Sequence, residues 1–315
     1  MTLPMGRAMR EVFGETVARL ADDDPRIVML DADLGSSTRA DIFEQAHPER
    51  YLQMGIAEQN MLGVAAGLAT MGLVPFISTF VSFAVVRPLD QIRVLIAQTG
   101  LNVKITPSYG GLFTGMAGKT HQIVDDVAIM RAMPGMVTIC PADDIEARQV
   151  LRWAVTFDGP VYVRLVRDAT QRLFDDGYVF SFGKAVVVRD GRDVTLISTG
   201  SETPRVVDAA ALLAADGIEA HVLHVPTLKP LDAPAIIAAA ARTGRVMTVE
   251  EGSIIGGLGG AVAEVLSERR PTPVKRLGLR DVYTQSAPNE ALLDRYGLSA
   301  ERVAEQVREE LAARG

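Results

Sequence analysis

The chain has 315 residues and a net charge of −7, with 48% hydrophobic and 23% charged residues. That balance belongs to an ordinary globular protein, neither disordered nor fibrous, and the length sets a prior of about two domains. An acidic pI of 5.3 leaves no basic footprint for nucleic acid or an anionic membrane. The single cysteine, Cys140, excludes an intramolecular disulfide and a Cys-rich metal site. It follows the apolar run 136–139 and reads as a buried core thiol. The N-terminus MTLPMGRAMREVFGE has no apolar h-region, so no signal peptide is expected and the chain reads as cytoplasmic.

In chain order, a helical period over 7–21 precedes a short apolar run, 27–30, that ends in Asp31-Ala-Asp33-Leu-Gly35-Ser-Ser37. From Gln59 to Val86 there is no charge, a stretch long enough to raise the question of a membrane span. Gly72 and Pro75 break it, and Ser78, Thr79 and Ser82 interrupt its second half. It therefore predicts a buried helix over 60–71 and a buried strand over 73–79. Gly63 and Gly67, four apart, give that helix a small face that another backbone can approach. A helix over 88–98 and a strand over 103–106 lead into the Gly-rich stretch 109–119. A strand over 136–139 precedes Pro141-Ala-Asp143-Asp-Ile-Glu146, a helix start in which Asp143 caps and Glu146 reaches back. A strand over 161–166 completes an α/β unit with a parallel sheet.

Residues 167–178 are charged and irregular and mark a boundary. Beyond them, 184–188 and 194–198 flank Asp190-Gly191 and predict a hairpin. A helix over 204–216, a strand over 220–225, a helix over 233–242, a strand over 245–250 and a helix over 260–268 make a second alternation. The expected fold class is α/β, with two doubly wound α/β domains, 1–175 and a smaller 180–315.

Two glycine-rich stretches imitate phosphate loops. Gly115-Met-Ala-Gly118-Lys119-Thr120 lacks the glycine a P-loop needs five residues before Gly118, where Phe113 stands. Glu250-Glu-Gly-Ser-Ile-Ile-Gly256-Gly257-Leu-Gly259-Gly260 breaks the dinucleotide pattern and sets two carboxylates where a pyrophosphate would lie. A tight turn is the better reading. Of the four histidines, His221 and His224 fall on opposite faces of one strand and cannot chelate a metal together. No metal constellation is expected.

Glu58, in Gly55-Ile-Ala-Glu58-Gln-Asn-Met61, opens the uncharged run. Alone it would read as a carboxylate that complements a helix dipole. It stands, however, in an ordered set with Asp31-Ala-Asp33-Leu, Ser78-Thr-Phe80-Val-Ser-Phe83, Thr120-His121-Gln122, Pro141-Ala-Asp143 and Val166-Arg167. That set resembles the C-terminal half of transketolase and of its sister 1-deoxyxylulose-5-phosphate synthase. Ile197-Ser-Thr-Gly200-Ser-Glu202 and Val249-Glu-Glu251-Gly extend the resemblance over nearly the whole chain.

The resemblance implies thiamine diphosphate chemistry on a pyrimidine-binding domain followed by a transketolase C-terminal domain. It casts Glu58 as the acid engaging the cofactor's ring nitrogen, where apolar neighbours would help it hold a proton. Phe80 and Phe83 match the aromatic positions beside that ring, and Asp33 falls among the cofactor-binding positions. Val86 replaces a third aromatic. His121 matches the histidine at the substrate hydroxyls, preceded by Ala117 where relatives carry an acid. Arg167, helped by Ser37, matches the arginine that grips a sugar phosphate, and Tyr109 falls near a second active-site histidine of the family. The half that binds the diphosphate and Mg²⁺ through a G-D-G motif is absent. A separate N-terminal-type subunit is therefore the expected partner, in a heterotetramer acting on sugar phosphates.

Three other functions fit less well: a 2-oxoacid dehydrogenase-type β subunit, a synthase-like carboligase and a non-catalytic assembly module. T-H-Q, Arg167 and the pattern from Tyr296 to Ala304 favour ketol transfer, and intact Glu58 and His121 argue against an inert module.

Overall fold

The computed structural model describes residues 3–313. Seven strands form the larger sheet, in the order Thr227–Lys229, Val137–Ile139, Val161–Val163, Lys104–Ile105, Val74–Ser78, Ile27–Asp31, Tyr51–Gln53. All are parallel except the edge strand Thr227–Lys229. Ile27–Asp31 and Val74–Ser78 are buried along their whole length, as strands covered on both faces must be. One face packs Met29 and Phe76 under the helices Met9–Asp23 and Asp144–Thr156, through Phe13, Val17, Val150 and Leu151. The other packs Leu30 and Ile77 under Glu58–Thr70 and Ile92–Ala97, through Met61, Leu62, Ile92 and Ile96. This is the doubly wound arrangement expected from the alternation.

The second sheet has the order Val274–Leu279, Val246–Ser253, Val194–Ser198, Ala220–His224, Val186–Arg189. Here the expected hairpin fails. Val194–Ser198 has parallel neighbours on both sides, so Val186–Arg189 goes to the outer edge, antiparallel to Ala220–His224. The Asp190-Gly191 turn carries the chain over that neighbour; a Cβ on Gly191 would lie 2.2 Å from the Ala220 carbonyl carbon.

Three other local expectations change. The segment read as irregular contains the strand Ala169–Gln171, paired with Met5–Ala8. Asp143 does cap its helix through the Glu146 N–H at 2.9 Å, but the Glu146 carboxylate takes the Ala142 N–H at 2.7 Å instead of reaching back to Asp143. Gly63 and Gly67 meet nothing within 4 Å of an added Cβ, so among the described residues no backbone packs on that face. Thr227–Lys229, from the C-terminal half, joins the edge of the first sheet at Val137–Ile139 and ties the halves together.

No helix of the described residues is long and apolar enough to cross a membrane. Cys140 is buried in the core, and burial pushes its thiol up to about 12, which leaves it unreactive as a nucleophile.

Candidate active site

The site forms where the parallel strands of the larger sheet end, the usual place for ligands in α/β sheets. Phe80 and Phe83 follow Val74–Ser78, Tyr109 follows Lys104–Ile105, and Arg167 follows Val161–Val163. Phe80 is stacked on Tyr109 with ring centres 3.8 Å apart and lies 5.7 Å from Phe83. His121 stands edge-on to both phenylalanines, 5.2 Å from Phe83 and 6.0 Å from Phe80. Four of the residues singled out from the sequence thus form one aromatic row.

Glu58 is the first residue of Glu58–Thr70 and is 4% exposed. Its surroundings differ from the purely apolar ones expected. The Arg87 guanidinium donates to Glu58 Oε1 at 2.6 Å, and the same guanidinium lies 4.0 Å over the Phe83 ring. A carboxylate at one edge and a ring face beneath therefore hold a planar N–C–N group. The donor set fits a pyrimidine ring on the same two contacts.

A cavity of about 520 Å³ opens beside this row, lined among others by Ser37, Phe80, Tyr109, His121, Arg167 and Asn289. Ala117 and the exposed Met116 also line it, so the wall before His121 offers no carboxylate. His121 Nδ1 lies 2.9 Å from the Thr120 hydroxyl. The loop that carries it is held from the C-terminal half. Gln122 donates to the Gln285 carbonyl at 3.2 Å and accepts from the Thr284 hydroxyl, and Gly115 N–H donates to Asn289 Oδ1 at 3.0 Å. Glu251 accepts the Leu112 and Phe113 N–H groups and the Ser201 hydroxyl.

At the far end of the cavity, the Tyr109 hydroxyl accepts from Arg10 and from Arg167, each at 3.2 Å, and donates to the Ser37 carbonyl at 3.2 Å. Tyr109 adopts φ 72°, a left-handed conformation uncommon outside glycine. Arg10 escaped the sequence reading, although it lies on the first predicted helix. Its Nη1 also donates to the Ser37 carbonyl at 3.0 Å, and its buried Nε has no partner. Two guanidinium groups thus converge on one phenol. Asp168 salt-bridges Arg167 at 3.1 Å and accepts from Asn289 at 3.0 Å, which orients the second arginine.

Asp33 stands away from the aromatic row: it is exposed, has φ 62°, and its N–H donates to Gln53 Oε1 at 2.9 Å; it does not line the cavity beside the row. The pyrophosphate position of the second glycine stretch is filled by protein: Glu250 accepts the Leu258 and Gly259 N–H groups at 2.8 Å at the start of Leu258–Arg269. Among the described residues, no group of three His, Cys, Asp or Glu side chains could hold a metal ion.

Residues 5–172 match the family model "Transketolase, pyrimidine binding domain" and 183–303 match "Transketolase, C-terminal domain". The chain belongs to the transketolase family. It is 42% identical to the "Putative transketolase C-terminal section" of Methanocaldococcus jannaschii, over 97% of this chain and 96% of that protein. It is 41% identical to the "6-deoxy-6-sulfo-D-fructose transketolase subunit SqwH" of Clostridium sp., over 94% of this chain and 92% of that one. A solved structure described as "Split gene transketolase, inactive beta4 tetramer" superposes with a TM-score of 0.91 at 44% identity, covering 98% of this chain and 99% of the other.

Proposed function

We propose that this chain is the pyrimidine-end subunit of a split, thiamine diphosphate-dependent transketolase that moves a two-carbon ketol unit between sugar phosphates in the cytoplasm. Residues 1–175 are the pyrimidine-binding domain in this reading, and 180–315 the C-terminal domain. A separate N-terminal-type subunit holds the diphosphate and Mg²⁺, and two such pairs form a heterotetramer. The observation that carries the reading is the buried Glu58 carboxylate, linked through Arg87 to the Phe83 ring face, with the aromatic row running on from Phe83 to a cavity lined by His121 and Arg167. The open Gly63 and Gly67 face of the Glu58 helix, with Ile56 and Met71 exposed near its ends, supports a partner surface there.

Bound thiamine diphosphate supplies the nucleophilic carbon of the reaction. Glu58 holds a proton at the ring nitrogen, an exchange its burial keeps from bulk water. Phe83 and Phe80 orient the ring by stacking. With Nδ1 on Thr120, His121 is left with Nε2 to take or return a proton at a substrate hydroxyl. Arg167 and Arg10 hold the distal phosphate, with Ser37 and Tyr109 between them. Ala117 offers that substrate no carboxylate.

The test is reconstitution. Ketol transfer is expected only when the chain is combined with an N-terminal-type subunit, Mg²⁺ and thiamine diphosphate. Appreciable turnover by the purified chain alone contradicts the proposal.

A further inference from the structure

Resting on the cofactor-end reading above, we propose that Arg87 is a built-in stand-in for the cofactor's ring, closing the pyrimidine end until a ring displaces it. The guanidinium is planar and carries N–H donors at its edge, as a protonated aminopyrimidine does. It already makes both contacts that recognition of the ring requires: an N–H on Glu58 Oε1 at 2.6 Å and a face 4.0 Å over Phe83. Glu58 is buried, and Arg87 occupies its Oε1. A ring stacked on that face of Phe83 would occupy the same layer. The two occupants exclude each other.

The side chain has somewhere to go. Arg87 is 45% exposed and borders a second cavity of about 350 Å³, shared with Val86, Asp125 and Tyr283. Val86, where a third aromatic is expected from the family, is too small to cover Phe83 and leaves that layer to its neighbour. The Asp125 side chain has no ion pair among the described residues and lies in the cavity into which a displaced guanidinium would swing. The arrangement is a two-position switch. While Arg87 is on Glu58, a ring binds with an affinity reduced by the fraction of chains left open.

The probe is 4-amino-2-methylpyrimidine, added to the full-length chain and followed by NMR shifts of the Phe83 ring. If Arg87 holds most chains closed, Arg87→Ala should bind the probe about tenfold more tightly than wild type. Arg87→Lys, which keeps the charge without the plane, should fall between them. Because Arg87 is half exposed, circular dichroism of both variants should match wild type. Equal or weaker binding by Arg87→Ala, or no binding to it at all, overturns the proposal. Adding Glu58→Ala to Arg87→Ala separates the two readings. Loss of probe binding there, with no difference between wild type and Arg87→Ala, would sink the stand-in alone. Binding indifferent to Glu58 would sink the cofactor-end reading as well.

Discussion

His224 Nε2 and Glu146 Oε2 lie 2.8 Å apart, both fully buried, and join the two halves of the chain. The Thr203 hydroxyl sits 2.8 Å from His224 Nδ1, and Glu146 also accepts the Tyr178 hydroxyl at 2.6 Å. Glu146 belongs to the helix Asp144–Thr156 under the first sheet, His224 to the strand Ala220–His224 inside the second. The junction thus ties together the two halves whose residues line the cavity, the second through Asn289.

His224→Ala should therefore destabilise the chain by about 1–3 kcal/mol, because it takes one of three hydrogen-bond partners from the buried Glu146 carboxylate and leaves the Thr203 hydroxyl unpaired. Urea unfolding of the full chain measures it. A loss below about 1 kcal/mol would show that the pair is incidental to the junction.

Glu58, Phe80 and Phe83 could be singled out in the sequence because each sits in a short motif just past a strand or at a helix start, and His121 because its Thr-His-Gln motif marks the loop before Asp126–Ala132. Their order along the chain follows the order of strand ends, so a linear reading could collect them. Arg10 could not be collected that way, since it meets Tyr109 across 99 positions and only the sheet order brings them together. The Arg87 pair with Glu58 spans 29 positions and depends on the turn after Val81–Val86. The Asp190-Gly191 signal was real as a turn and misleading as a hairpin. Pairing was decided by neighbours far along the chain, which claimed both sides of Val194–Ser198. Thr227–Lys229 is three residues long, too short for periodicity to separate it from a loop.

Burial pushes the Glu250 carboxyl up to about 7. Its folded value lies above the unfolded 4.5, so the folded chain holds this proton over that interval. The contribution is full below pH 4.5 and is lost as pH rises toward 7, at up to about 1.4 kcal/mol per unit. Urea midpoints of wild type should accordingly fall between pH 5 and 7 relative to Glu250→Gln, which does not titrate. A difference between the two that stays constant with pH would contradict this origin.

Arg167→Ala in the reconstituted enzyme should raise KM for phosphorylated sugars about 10- to 150-fold and leave small unphosphorylated acceptors nearly unchanged. Arg10→Met should act in the same direction, since both guanidinium groups meet at Tyr109. Arg167→Lys should recover only part of the loss because it lacks the planar fork. Steady-state kinetics with paired phosphorylated and unphosphorylated acceptors decides the matter. Equal losses for both classes would mean that the arginines support the loops and read no phosphate.

The central claim is that Glu58 serves the cofactor's ring as its proton partner. Hydrogen–deuterium exchange at the thiazolium carbon, in the complex with the N-terminal-type subunit, tests it most directly. Glu58→Gln keeps the size and the buried position of the side chain but cannot share a proton. The exchange rate should drop about 100-fold or more, the usual scale for losing a positioned acid–base group, while the complex still assembles. Exchange in Glu58→Gln as fast as in wild type would leave Glu58 as a helix-terminal carboxylate and contradict the account.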